Sequence, residues 1–243
     1  MTRGELTLYV VPASHPCAAV ELALKRKGLA YRRVDLPPVL HAVHQRLAFG
    51  RRTVPGLRLD TGEKVVGSRA IMRVLDGLEP QPPLLPADAA QRARVEAAEA
   101  WGDEVLQPFA RRLIYAGFRR SPEAMLSYGE GADLPIPDAI AARSAPLIIP
   151  LGRALNRAGE RAEREDVAAL PAHLDRADGY VAEGVIGGDP PNVADLQIGA
   201  SLRLLMTMDD YRRELEARPA GQLAQRLFPE YPGRIPSGSA PSG

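Results

Sequence analysis

Four prolines stand within residues 79–87, at Pro80, Pro82, Pro83 and Pro86. Proline has a fixed φ and no amide hydrogen, so this stretch can neither continue a helix nor join a β-ladder. It reads as a linker, and the patterns on its two sides differ in kind. Ahead of it, short β-rich runs alternate with helical ones. Behind it, the alternation gives way to apolar residues at three- and four-residue steps. A chain of 243 residues is long enough to bury a core on each side of such a break.

Before the linker, residues 6–11 are rich in β-formers and stop at Pro12. Residues 16–27 are rich in Ala and Leu and stop at Gly28, a natural helix C-terminal residue. Residues 31–36 read as a second strand closed by Pro37 and Pro38, and residues 39–49 as a weak helix ending at Gly50. Two short runs, 56–59 and 64–66, flank Asp60-Thr61-Gly62, which is hairpin chemistry. Residues 68–78 read as a helix. The predicted order is therefore β-α-β-α-β-β-α. A helix between the first two strands implies a parallel pair, and the hairpin adds an antiparallel edge.

Beyond the linker, Ala98, Trp101, Val105, Phe109 and Leu113 would share one face of a long helix, which Pro108 is predicted to kink. Residues 119–137 are rich in Gly, Pro, Ser and charge and are predicted to form a long loop. Helical patterns resume over 138–159 and 163–183. The expected organisation is an α/β domain over 1–78, a linker over 79–87, an all-α helical bundle over 88–228 and a disordered tail over 229–243.

Charge excludes little but points nowhere unusual. The 31 basic and 30 acidic residues leave a net charge of +1, which gives no electrostatic reason to expect nucleic acid or a membrane surface. Arginine pairs such as Arg51-Arg52 and Arg111-Arg112 are scattered among acids and read as solvated faces. A single cysteine permits no internal disulfide. No apolar signal core opens the chain and no apolar run approaches a membrane span, so a cytoplasmic location is expected. His41 and His44 would share a helix face, but no further ligand accompanies them and no metal site is expected.

Two local features bear on chemistry. Ser14 and Cys17 sit between a strand and the following helix, with Pro16 suited to the first helical turn. The free N–H groups and dipole of that helix start favour an anion such as a thiolate. Further on, Val54-Pro55 opens a strand, where proline belongs at an edge or a special turn.

In this order and spacing, Leu8-Tyr9, Ser14-His15-Pro16-Cys17, Val54-Pro55 and Gly67-Ser68-Arg69-Ala70-Ile71 resemble the cytosolic glutathione transferase superfamily. The match continues through Gly187-Gly188-Asp189-Pro190-Pro191-Asn192-Val193-Ala194-Asp195, where the family has a capping box ahead of a buried helix. Asn192 can cap and Asp195 can reach back as the third helical residue. The resemblance runs from about residue 6 to 205. It implies a thioredoxin-like first domain, an all-helical second domain, glutathione or another small thiol as co-substrate, and a homodimer.

Residue by residue, the resemblance implies that Ser14 holds the sulfur of glutathione. A hydroxyl donating to a thiolate lowers the thiol pKa; the competing reading is that Ser14 only caps its helix. Cys17 is a secondary catalytic candidate, set against a plain packing role. Val54 matches the residue whose backbone pairs with the cysteinyl part of glutathione, and Pro55 matches the family's cis-proline. Ser68, at a helix start, matches the residue that holds the γ-glutamyl carboxylate. Gly67 departs from the pattern, since the family carries an acid there that pairs with the ligand's amino group. Losing a charged hydrogen bond costs about 1.5–3 kcal/mol, or roughly tenfold to 150-fold in affinity. Either another residue compensates or the ligand differs.

Tyr115 and Phe118 are expected to shape a second pocket for an electrophile. The function this implies is transfer of a glutathione-type thiol to a small electrophile. Two alternatives stand beside it: a non-catalytic binding module, and a glutathione-assisted isomerase or monothiol reductase using Cys17.

Overall fold

The computed structural model describes residues 5–134 and 138–241. Its first part runs β1 (Leu6–Val10), α1 (His15–Arg26), β2 (Tyr31–Asp35), α2 (His41–Phe49), β3 (Gly56–Arg58), β4 (Lys64–Val66) and α3 (Ser68–Leu78). The four strands lie in the order β2-β1-β3-β4. β1 and β2 are parallel, with Leu6 opposite Tyr31, and β3 is antiparallel to both β1 and β4. β1 is central because Leu6, Leu8 and Val10 are buried and so is Thr7 between them. β2 keeps Arg32 and Arg33 exposed at the edge. Val20, Ala23 and Leu24 of α1 and Ile71, Met72 and Leu75 of α3 complete this core.

The remainder is helical: α4 (Ala89–Trp101), α5 (Gln107–Arg120), α6 (Asp138–Leu155), α7 (Glu160–Ala182), α8 (Val193–Leu205), α9 (Asp209–Ala217) and α10 (Pro219–Leu227). Asp88 caps α4 by accepting from the Gln91 N–H at 2.8 Å. Pro108 cannot donate to the preceding turn, and Gly102–Leu106 ahead of it winds as one π-helical turn that joins α4 to α5. α8 forms the centre. Asn192 Oδ1 accepts from the N–H groups of Ala194 and Asp195, and Asp195 Oδ2 accepts from the Asn192 N–H at 2.8 Å. Asp195 Oδ1 also accepts from Gly187 N–H at 2.6 Å, which ties the approaching loop to the helix.

α8 packs against α1, so the two domains share one interface. The proline-rich linker is held there by Lys27, whose buried ammonium donates to Asp76 Oδ1 at 2.6 Å and to the carbonyls of Glu79 and Pro82 at 2.7 and 2.6 Å. Three acceptors offset the desolvation of this buried cation.

Three sequence expectations need correction. The stretch expected as a loop over 119–137 begins as the last turn of α5, and Pro122–Gly129 forms a 3-10 helix; residues 135–137 lie outside the described residues. The tail expected to be disordered is docked over 229–241, and 242–243 lie outside the described residues. Ile235 is fully buried against Gly117 and Met208, its N–H donates to Thr207 O, and its carbonyl accepts from Asp209 N–H. Asp210 accepts from the N–H groups of Gly238, Ser239 and Ala240. One apolar anchor and one carboxylate thus order a segment whose composition suggests a loose end. The Arg111-Arg112 pair is not a solvated face either: both side chains are half-buried, and Asp166 takes Arg112 through two bonds of 2.7 and 2.6 Å.

Candidate active site

A cavity of about 1450 Å³ opens between the two domains. One wall is the turn after β1, the start of α2 and residues 52–54; the other is α5, the Pro122–Gly129 turn and α6. Among the sequence candidates, Ser14, Val54, Tyr115 and Phe118 all line it.

Ser14 is the residue before α1, with extended backbone, and its N–H donates to Val11 O at 3.1 Å. Its hydroxyl makes no capping bond to the helix, so the plain capping reading does not describe it. The turn ahead of it is unusual. Ala13 sits at φ 56°, in the left-handed region that a side chain rarely adopts. The Tyr231 hydroxyl donates to the Ala13 carbonyl at 2.8 Å. A residue of the docked tail therefore holds the turn that presents Ser14, and strained turns of this kind persist where neighbours fix them.

Val54 has an open main chain: among the described residues no backbone hydrogen bond engages its N–H or C=O. The Val54–Pro55 peptide bond is cis. Pro55 O accepts from the Gly67 N–H at 3.0 Å, which joins this turn to the start of α3. Gly67 has φ 94°, a conformation suited to glycine, and a Cβ there would meet nothing within 4 Å. Space is thus available where the family carries its acid. Ser68 is buried directly behind it, and neither Ser68, Gly67 nor Pro55 lines the cavity itself.

Cys17 does not line the cavity, although its thiol interacts with the Ser14 side chain. It is 1% exposed, and burial pushes its thiol up to about 12, a shift only partly opposed by Ser14. Its burial and its absence from the cavity lining favour the packing reading of Cys17 over the catalytic one.

The far wall is aromatic. Tyr115 and Phe118 meet edge to face with ring centres 5.8 Å apart, and Phe118 meets Tyr128 at 4.9 Å. The Tyr128 hydroxyl is bonded to Thr207 Oγ1. Tyr115 can lie so close to α6 because Gly152 faces it; a Cβ at Gly152 would fall 2.3 Å from the ring.

Sequence reasoning missed the polar floor of this cavity. His15 and His41 both line it, and burial, with Arg111 second, holds both imidazoles below their usual pKa, His41 at about 4. Arg111 lines it as well. His15 lies inside the Ser14-His15-Pro16-Cys17 segment and His41 reads from sequence only as a metal-ligand candidate, but no local pattern joins either to Arg111; only Gln107, Arg111 and Tyr115, one helical turn apart, hint at a shared face.

Residues 8–83 match the family "Glutathione S-transferase, N-terminal domain". A maleylacetoacetate isomerase of Pseudomonas aeruginosa is 33% identical over 102 residues, 39% of this chain and 47% of that protein. The chain thus spans about half the length of the curated relative it matches. A glutathione S-transferase of Rhodospirillum rubrum superposes with a TM-score of 0.63 at 22% identity, over 97% of this chain and 98% of the other. A maleylacetoacetate isomerase of Anaeromyxobacter dehalogenans, solved with GSH bound in its active site, superposes with a TM-score of 0.50 at 26% identity, over 92% and 89%. Residues 8–83 thus match a glutathione S-transferase N-terminal domain, and along nearly its whole length the chain has the two-domain fold of the glutathione S-transferase structures.

Proposed function

We propose that the protein binds glutathione along the Val54 edge and uses Ser14 to hold its sulfur as a thiolate that attacks a small electrophile. The observation that carries this reading is that the unpaired main-chain edge at Val54 and a Ser14 hydroxyl that caps nothing line the same cavity. An extended peptide adds to such an edge through main-chain hydrogen bonds. A hydroxyl donating to sulfur stabilises the anion and enlarges the nucleophilic fraction near neutral pH. In the transfer step sulfur forms a bond to the electrophilic carbon, the leaving group departs with the electron pair of the broken bond, and the thiol proton goes to solvent. Ser68 and the space at Gly67 are the proposed seat of the γ-glutamyl end.

The isomerase reading uses the same site: the thiolate adds to a conjugated double bond, the adduct rotates, and elimination returns glutathione. It is favoured by the isomerases among the similar proteins. The two readings part on whether glutathione is consumed in step with product. The non-catalytic alternative rests on Gly67, which lacks the acid that grips the ligand's amino group. A homodimer and a cytoplasmic location belong to the same proposal; among the described residues no helix is long and apolar enough to cross a membrane.

Calorimetric titration with glutathione, followed by turnover of a benzyl halide, tests the reading. Saturable heat and conjugation are expected. Absence of both heat and thermal protection would overturn it.

A further inference from the structure

Arg111 has no carboxylate in direct contact; Asp103 acts on it only at a distance, through Gln107, whose Nε2 donates to Asp103 Oδ1 at 3.1 Å. Arg111 projects from α5 into the cavity, and its partners are neutral amides: Nη2 donates to Gln107 Oε1 at 2.9 Å and Nη1 reaches Asn156 Oδ1 at 3.5 Å. Among the described residues no carboxylate lies within 4 Å of it. Its neighbours in the same domain are treated differently. Arg112 is held by Asp166, Arg153 by Glu163 at 2.7 Å, and Arg218 by Asp178 at 2.8 Å. A desolvated guanidinium stays charged, and leaving it without a counterion is costly.

The surroundings compound this. Arg52 and Arg157 also line the cavity, against a single described acid in its lining, the exposed Glu130. The positive character is local, since the chain as a whole carries only +1. His15, 3% exposed, has Nε2 without a partner, and His41 has Nδ1 without one. Both residues line the cavity, where a ligand's polar group or water can meet these nitrogens. Beside this floor stand apolar walls from Ile114, Phe118, Leu147 and Leu151.

We propose that the electrophile is an organic anion, a carboxylate carried on an apolar body, and that Arg111 binds its carboxylate and sets this specificity. The inference rests on the thiol-transfer reading above. Guanidinium and carboxylate meet in a planar, two-bond geometry that a desolvated site strengthens. The apolar body then lies against Ile114 and Phe118, and the reactive carbon faces Ser14.

The test compares 4-(bromomethyl)benzoate with 4-(bromomethyl)benzamide as electrophiles for glutathione, after subtraction of uncatalysed rates. In either case a C–S bond replaces the C–Br bond and bromide leaves. The native enzyme is expected to favour the acid over the amide by roughly ten- to hundredfold in kcat/KM. Arg111→Gln is expected to bring that ratio to near unity, and Arg111→Lys to retain part of it, which separates lost charge from lost fold. An acid-to-amide ratio near one in the native enzyme overturns the inference. So does an unchanged ratio in Arg111→Gln accompanied by a raised KM for glutathione, since Arg111 would then serve the co-substrate's own carboxylate. Should no electrophile be conjugated, the transfer reading fails, and the anion site is still read by equilibrium binding of 4-phenylbutyrate against 4-phenylbutyramide. Preference for the acid that vanishes in Arg111→Gln supports the site, and equal binding refutes it.

Discussion

Replacing Ser14 by alanine removes one hydroxyl from the mouth of α1 without removing a cap, because that hydroxyl makes no capping bond. The fold is therefore expected to survive, and the change should register on the bound thiol. A hydrogen bond to a charged group contributes about 1.5–3 kcal/mol, and one pKa unit is about 1.4 kcal/mol. A thiol of ordinary pKa, about 8.5, would thus titrate about one to two units lower beside Ser14. Taking a value of about 7 in the native complex, the thiolate fraction at about pH 6.5 exceeds that of Ser14→Ala by roughly 25-fold, and at about pH 9 by less than twofold. The lower intrinsic nucleophilicity of a stabilised thiolate trims the rate difference without changing its trend.

Saturating-glutathione turnover of one electrophile across this pH range is the assay. The deficit of Ser14→Ala should be large in mild acid and shrink steadily as pH rises. A deficit that is the same at every pH would mean that Ser14 only positions the ligand, and no deficit at all would remove it from the mechanism.

Tyr231→Phe removes the bond that fixes Ala13. Its pH midpoint of kcat/KM is expected to move upward toward that of Ser14→Ala, with about 1–3 kcal/mol of stability lost by leaving the carbonyl unpaired; an unmoved midpoint would confine Tyr231 to a structural role. Ile235→Ala opens a cavity beneath the docked tail and is expected to cost about 2–5 kcal/mol, a fall of roughly 4–20 °C in thermal midpoint. A tail that hangs free would leave the midpoint unchanged. Cys17→Ala should keep native turnover per folded molecule, and Cys17 itself should resist thiol reagents until the protein unfolds, because burial holds the thiol protonated; rapid labelling of the native protein would contradict this.

What could be read before the structure was what local chemistry decides. The Asp60-Thr61-Gly62 hairpin, the helix over Ser68–Leu78 and the Asn192–Asp195 box each draw on neighbours in the chain, and each stands where the pattern placed it. The docking of residues 229–241 escaped notice because Ile235 finds its partners at Gly117 and Thr207, far away in sequence, while its own neighbours are Pro, Gly and Ser. Arg111 and Arg112 are adjacent and identical in type, yet only one meets an acid, since Asp166 comes from α7. Adjacent positions on a helix point to different partners, and no sequence window spans that difference.

A structure of the protein with glutathione tests the central claim most directly. The account predicts the peptide paired with the N–H and C=O of Val54 and its sulfur within hydrogen-bond reach of Ser14 Oγ. Glutathione bound elsewhere, or lying along Val54 with its sulfur pointed away from Ser14, would contradict it.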